Sequence, residues 1–281
     1  MIYIIVPTFN RIEICKHFIE DLKKQSNQNY LLVLVDHGKN KVDLPSNTER
    51  TVYLPSDVNG WARAVNVGLR YTLDRANEGD SVLIINDDVI LDSNYLQSIY
   101  DAVKLKPNAV LGTCCIDQNT NKTLRVAIRL NRWKGQHEYL YQYIDASKLP
   151  EGFIKSDVLT GKGTVIPVSV LKKIGIYNEE KLPHYKADHE LIWRAKKNGF
   201  NVYACTKMQL RTLSDQKTAN GKEPFWKTVK FLWFDMRSVM RLKDWWNYAF
   251  LAYSVPYALY FFIINTLKNT AGMIYLWFKT K

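Results

Sequence analysis

The chain has 281 residues, 47% hydrophobic and 23% charged, which suits an ordered globular protein with an ample core and excludes disordered or collagen-like classes. A formal net charge of +12 calls for an anionic partner, whether a phosphate-bearing substrate, an acidic lipid surface or nucleic acid. The four cysteines (Cys15, Cys114, Cys115 and Cys205) lack C-x-x-C spacing, which argues against zinc and disulfide frameworks and reads as buried thiols.

The apolar run "IYIIV" (2–6), stopped by Pro7, predicts a first strand. Ile12, Cys15, Phe18, Ile19 and Leu22 then fall at helical spacing, and "YLLVLVD" (30–36) predicts a second strand ending at Asp36. "GWARAVNVGLRYTL" (60–73) repeats the helical pattern, and "SVLIIN" (81–86) is a third strand. The N-terminus lacks a basic n-region and a long h-region, so no signal peptide is expected and the chemistry is expected in the cytosol. Strands alternating with helices predict a parallel sheet with right-handed crossovers, whose ligand crevice lies beyond the carboxyl ends of the strands. Thr8, Asp36 and the run Asn86, Asp87, Asp88 all fall at such ends, so three separated segments converge on one cleft.

Two adjacent carboxylates at the end of a buried strand need compensation, because each ionised group removed from water costs several kcal/mol. They either cap the turn leading to a helix near Asp92 and Ser93, or hold a divalent cation that shares oxygen ligands with a substrate's phosphates. No G-x-G-x-x-G follows the first strand, which disfavours a dinucleotide site, and "TGKGT" (160–164) lacks the full pattern of a P-loop. From 110 to 167 the pattern weakens into short strands and loops; a helix is expected at 168–174, and another within "KADHELIWRAKKNG" with Gly199 as its stop.

Residues 245–267 carry no charge over 23 positions, about 35 Å if fully helical. Pro256 and the interspersed tyrosines favour attachment in the plane of a membrane surface over a true span, with an oligomer interface as the third reading. From Lys222 onward, nine Lys or Arg face three acidic residues.

The motifs "IVPTFNR", "VDHG", "GWARAVNVGL", "INDDV", "TGKGTVIPVSVLKKIGIYNE" and "ADHELIWRAKKNG" stand in one order over residues 1–205, and this set resembles family-2 glycosyltransferases of the GT-A type. "FLWFDMRSVMRLKDW" is similar, more loosely, to the tail of rhamnosyltransferase-like members that build bacterial surface polysaccharides. The resemblance implies an α/β GT-A Rossmann-like nucleotide-sugar-binding domain with a central, mostly parallel sheet over 1–210. A C-terminal helical membrane-associating segment over 222–281 would follow. Pro7, Thr8 and Arg11 would line the nucleotide pocket, Asp36 would accept from the base, and Gly60 and Asn66 would belong to the cover. A carboxylate only accepts, and uracil and thymine offer an N3–H where cytosine does not, so a UDP- or dTDP-linked donor is expected. Asp88 would bind the metal (Mn2+ or Mg2+), with Asp87 facing the sugar and Asn86 standing where the D-x-D pattern has its first Asp. Asp188 would be the catalytic base, with Ala187 in place of the usual preceding acid; Gly161, Lys162, His184, His189 and Glu190 would lie on the acceptor side.

These parts imply an inverting transfer of a sugar from a nucleotide donor to a lipid-linked or polysaccharide acceptor in cell-surface glycan synthesis, at the cytoplasmic face of the cell membrane. The membrane surface is then a partner, nucleic acid is not, and homo-oligomerisation stays open. Asn86 and Ala187 motivate one alternative, a non-catalytic membrane-bound assembly subunit that keeps the fold.

Overall fold

The protein, described from a computed structural model, is defined over residues 1–39, 41, 50–212 and 225–279. Lys222, Glu223 and Lys281 of the expected C-terminal segment lie outside the described residues.

Strand β1 (Ile2–Thr8) is buried on both faces, as a strand in the middle of a helix-covered sheet must be. Its residues alternate between two cores. Ile2, Ile4 and Val6 pack with Phe18 and Leu22 of α1 (Ile12–Lys23) and Tyr95, Leu96 and Ile99 of α3 (Tyr95–Leu105). Tyr3 and Ile5 pack with Ala62, Val65 and Leu69 of α2 (Trp61–Leu73) on the opposite face. The period-2 alternation of strand side chains thus makes one short run the wall of both cores.

Strand β1 pairs in parallel with β2 (Tyr30–Asp36) and β4 (Ser81–Ile84), and β2 pairs in parallel with β3 (Thr51–Pro55). β5 (Val110–Asp117) carries the short antiparallel β6 (Thr123–Arg125), and a separate hairpin joins β7 (Ala127–Asn131) to β8 (Gln136–Leu140). β9 (Phe153–Lys155) and β10 (Thr164–Pro167) follow, then α4 (Val168–Ile174), α5 (Ala187–Lys197) and β11 (Val202–Thr212). The sheet order is β3-β2-β1-β4-β10-β5-β11-β9.

β10 is inserted antiparallel between β4 and β5, with Thr164 opposite Ile84. The sheet is therefore mixed, and the antiparallel register has a local consequence. The start of β10 meets the end of β4, which sets the "TGKGT" loop against Asp87 and Asp88.

After β11 come α6 (Phe225–Phe234), α7 (Leu242–Ala252) and α8 (Val255–Lys279). Tyr248, Ala249 and Ala252 of α7 and Ala258 and Phe261 of α8 join the core that covers α2 and α5. The uncharged run 245–267 is not one helix: the chain is extended at Tyr253, and Pro256 falls in the first turn of α8, where its missing N–H leaves no bond unmade. Among the described residues no helix is long and apolar enough to cross a membrane, which corrects the single-span reading.

Candidate active site

The strand ends converge as the alternation predicts. Thr8 at the end of β1 donates from Oγ1 to Asp87 Oδ2 at 2.6 Å, both residues being buried. Arg11, just before α1, reaches Asp87 Oδ1 at 3.3 Å and Asp88 Oδ2 at 3.2 Å. Lys162 Nζ lies 3.6 Å from Asp88 Oδ1. Burial raises the Asp87 carboxyl above the usual aspartate range, and the Thr8 and Arg11 contacts oppose that rise. The carboxylate pair is thus compensated by two cations that arrive from opposite sides of the strand end.

Asp88 Oδ1 is shielded from solvent and makes no hydrogen bond, Lys162 Nζ being beyond bonding distance at 3.6 Å, so its lone pairs are left to accept a bound cation. Among the described residues no three His, Cys, Asp or Glu side chains gather into a cage. A divalent ion here would take one carboxylate from the protein and the rest of its shell from a ligand's phosphates and water, an arrangement familiar for Mg2+.

Asp36 closes β2 and is fully buried. Its Oδ1 accepts from the Gly38 N–H at 3.0 Å and its Oδ2 from the Tyr53 hydroxyl at 2.9 Å. Pro7 is buried beside Val35 in the same register. Gly60, at φ +120°, begins α2 where a Cβ would meet the Pro183 carbonyl oxygen at 2.5 Å, so only glycine fits this approach.

Next to it stands a residue that the sequence reading passed over. Trp61 donates from Nε1 to Asn86 Oδ1 at 2.9 Å, its backbone N–H donates to His184 Nδ1 at 3.1 Å, and its ring covers Gly161. Burial lowers the His184 pKa, which favours the neutral ring that can accept this bond at Nδ1. A neutral amide at position 86 matches a neutral indole donor. The signal was present in "GWARAVN", where a tryptophan follows the glycine at a helix start.

Asp188 sits in the first turn of α5, half-buried. Its Oδ2 accepts from the Gly161 N–H at 3.0 Å and its Oδ1 from the His189 N–H at 2.8 Å. Burial raises its carboxyl above the ordinary aspartate range in spite of these donors. Lys186, in the left-handed region at φ 67° just before α5, sets its Nζ 3.9 Å from the Trp245 ring centroid; burial pushes its pKa down to about 8. It too was missed by sequence reading, because the aromatic partner comes from α7.

The model for the family described as "Glycosyltransferase like family 2" matches residues 1–230. The chain belongs to this family. The fold is that of GT-A glycosyltransferases: GalNAc-T7 with UDP, GalNAc and Mn2+ superposes with a TM-score of 0.60 at 12% identity, covering 92% of this chain and 52% of that one. The mannosyltransferase PcManGT from Pyrobaculum calidifontis, in complex with GDP-Man and Mn2+, gives 0.55 at 14% identity, covering 96% and 86%. Residues 1–349 of TarS from S. aureus with UDP-GlcNAc give 0.53 at 14% identity, covering 89% and 71%. The chain thus spans about half the length of the GalNAc-T7 structure. No curated protein sequence matches it.

Three of the expected site residues are held by contacts within the protein. Asn66 is fully buried on α2: Nδ2 donates to the Tyr177 carbonyl at 2.9 Å and to Glu179 Oε2 at 2.7 Å, and Oδ1 accepts from the Tyr177 N–H at 3.1 Å. It pins the 177–179 loop to α2, with all its hydrogen-bonding groups turned to protein. Glu190 is buried and held by Arg194, Nε to Oε1 at 2.9 Å and Nη2 to Oε2 at 2.8 Å, while Arg194 also reaches the Ile174 and Ile176 carbonyls. Two residues beyond Asp188 on a helix, it points some 200° away, toward Arg194. His189 is buried, its ring 5.0 Å from that of His137 and 6.3 Å from that of Tyr248, and burial holds its pKa well below the usual value. It packs α5 against β8 and α7.

Proposed function

We propose that the protein transfers a sugar from a nucleotide-diphosphate donor to a hydroxyl of a lipid-linked or glycan acceptor, with inversion, in cell-surface glycan synthesis. The observation that carries this reading is the pairing of two unlike carboxylates on one loop: Asp88 beside Lys162, and Asp188 on the N–H of the preceding Gly161.

Arg11 and Lys162 stand where the donor's diphosphate would lie and offset its negative charge. Asp88 would hold a divalent ion, Mn2+ or Mg2+, which when bound stabilises the departing nucleoside diphosphate as a Lewis acid. Asp188 takes the proton of the acceptor hydroxyl as that oxygen attacks the sugar carbon from the opposite face. The Gly161 N–H orients one carboxylate oxygen, and the raised pKa of Asp188 strengthens its ionised form as a base. A UDP- or dTDP-linked donor follows from the acceptor-only character of Asp36.

The rival reading, a non-catalytic assembly subunit, leaned on Asn86 and Ala187. Asn86 accepts from Trp61 and Ala187 is buried in the core, so neither departure leaves an empty place in the site. The outer surface of the C-terminal helices exposes Trp226, Phe234, Val255, Leu259, Ile263 and Leu267, which supports attachment in the plane of a bilayer; we assign that attachment to the cytoplasmic face.

Purified protein with Mn2+ and a panel of UDP-, dTDP-, GDP- and CMP-linked sugars tests the reading. Thermal protection and slow donor hydrolysis by a UDP- or dTDP-sugar are expected. Protection by none of the panel, with no hydrolysis, overturns the transferase; protection by the CMP-linked sugar alone overturns the donor class.

A further inference from the structure

A cavity of about 630 Å³ opens between the β7–β8 turn, the second half of α5 and the α7–α8 junction. Trp193, Tyr253 and Tyr257 wall it, Trp133 stands beside it 94% exposed, and Arg132 and Lys197 bring the charge. No acidic side chain lines it; Arg132 lies 6.0 Å from the Tyr257 ring centroid, and among the described residues neither it nor Lys197 forms an ion pair. Two cations left without a counter-charge at an aromatic cavity ask for an anion with an apolar body.

The walls are fixed by hydrogen bonds. Trp193 Nε1 donates to the Ala252 carbonyl at 2.8 Å, the Tyr260 hydroxyl to the Trp133 carbonyl at 2.5 Å, and Asn265 Nδ2 to the Gly135 carbonyl at 2.6 Å. The turn that carries Arg132 and Trp133 is thereby tied to α8, and Lys197 rides on α5. Ser254 closes the rim where α8 begins, so the positive end of that 25-residue helix adds to the two side-chain charges.

What the anion is attached to follows from the surroundings. Val255, Leu259, Ile263 and Leu267 recur every four residues along the outer face of α8 and are all exposed, beginning at the cavity rim and continuing away from it. A free anion would leave this stripe and Trp133 bare to water, whereas a lipid headgroup in the cavity would bring its chains alongside both. We propose that the cavity binds the phosphate headgroup of an anionic bilayer lipid. The inference rests on the membrane attachment proposed above and is independent of the transferase chemistry.

The test uses the full chain in flotation with phosphatidylcholine vesicles with and without phosphatidylglycerol. R132Q/K197Q is compared with K230Q/K243Q, which removes the same charge from exposed positions on the C-terminal helices. The cavity predicts that R132Q/K197Q weakens binding to phosphatidylglycerol vesicles by at least about tenfold more than K230Q/K243Q does, diffuse attraction being equal in the two. Short-chain dihexanoyl phosphatidylglycerol should raise the melting temperature of the wild type and not of R132Q/K197Q. Equal losses in the two variants overturn the proposal, and so does inorganic phosphate protecting as well as the short-chain lipid. Failure of the wild type to float on any vesicle removes the membrane attachment itself, while a wild type that floats and an unaffected R132Q/K197Q removes the cavity alone. Thermal protection by nucleotide sugars, measured in parallel, reports that each variant is folded.

Discussion

The Gly161 N–H donates to Asp188 Oδ2 at 3.0 Å, and the neighbouring Lys162 stands 3.6 Å from Asp88, so one dipeptide joins the two carboxylates of the proposed transfer. A Cβ at Gly161 would sit 2.5 Å from the Trp61 ring. Gly161→Ala must push that ring away from Asn86 and disturb both ends of the loop. Overpacking of this kind costs about 1–3 kcal/mol, or a fall in melting temperature of about 2–8 °C. Turnover is expected to drop at least about tenfold; calorimetry and initial rates on one preparation check both, and an unchanged rate would show that the loop is not shared.

For Asp188, burial raises the folded-state pKa, and catalysis needs the ionised form. Turnover should therefore fall as pH is lowered through that raised value, with the limb lying above the ordinary aspartate range. Asp188→Asn should remove the limb and lower turnover by about a hundredfold or more while nucleotide binding persists. The stability sign is opposite to that of a salt-bridged carboxylate. The cost of ionising Asp188 is absent below the unfolded-chain pKa of about 3.9, grows as pH rises to the folded-state value, and is complete above it. Asp188→Asn removes that cost but keeps only one acceptor for the Gly161 and His189 N–H groups, so its loss of melting temperature should be smaller at neutral pH than in strong acid; an equal loss at both contradicts this.

Glu190→Gln separates a clamp from a catalytic acid. It breaks the two-point pair with Arg194, which stays behind with its carbonyl contacts to Ile174 and Ile176. A loss of about 2–4 kcal/mol in stability is expected, since one partner of a mostly buried pair is left alone. At a temperature where the variant is folded, turnover and acceptor KM should stay within about threefold of wild type. A selective rise in acceptor KM would return Glu190 to the acceptor side.

At Asp88 the readout is metal linkage. With a UDP-sugar present, Mn2+ should raise the wild-type melting temperature, because a ligand that binds only the folded state stabilises it by mass action. Asp88→Asn should abolish the Mn2+ increment and leave the metal-free melting temperature nearly unchanged. A surviving increment would place the ion elsewhere.

Much of this was legible before any coordinates. The runs at 2–6, 30–36 and 81–86 are strands of one sheet because an apolar run bounded by turn residues has few other solutions, and their ends bring Thr8, Asp36 and Asp87 together. What escaped depends on partners remote in sequence. That Asn66 holds Tyr177 and Glu179, and that Glu190 faces Arg194, are matters of side-chain direction at close range. The antiparallel β10 escaped for another reason: four residues, TVIP, carry too little periodicity to fix a strand's direction.

The C-terminal helices present a choice between two experiments that sequence alone would treat as one. Truncation before residue 245 looks like the way to test the proposed membrane attachment, since the uncharged run begins there. Yet Tyr248, Ala249, Ala252, Ala258 and Phe261 lie in the same core as Tyr3 and Ile5 of β1, and the Tyr248 hydroxyl lies 3.1 Å from both His137 Nε2 and the Tyr253 hydroxyl. Removing them opens the floor under α5, where each buried large apolar side chain contributes about 1.5–3 kcal/mol. Truncation should therefore give an unstable, inactive chain and say nothing about membranes. Leu259, Ile263 and Leu267 lie on the other face of α8, exposed and outside that core. Replacing all three with Ser should leave the melting temperature within about 2 °C, as surface changes do, and abolish flotation with vesicles. A triple variant that still floats removes the outer stripe of α8 from membrane contact, and a truncated chain that melts normally shows that α7 and α8 do not hold the core.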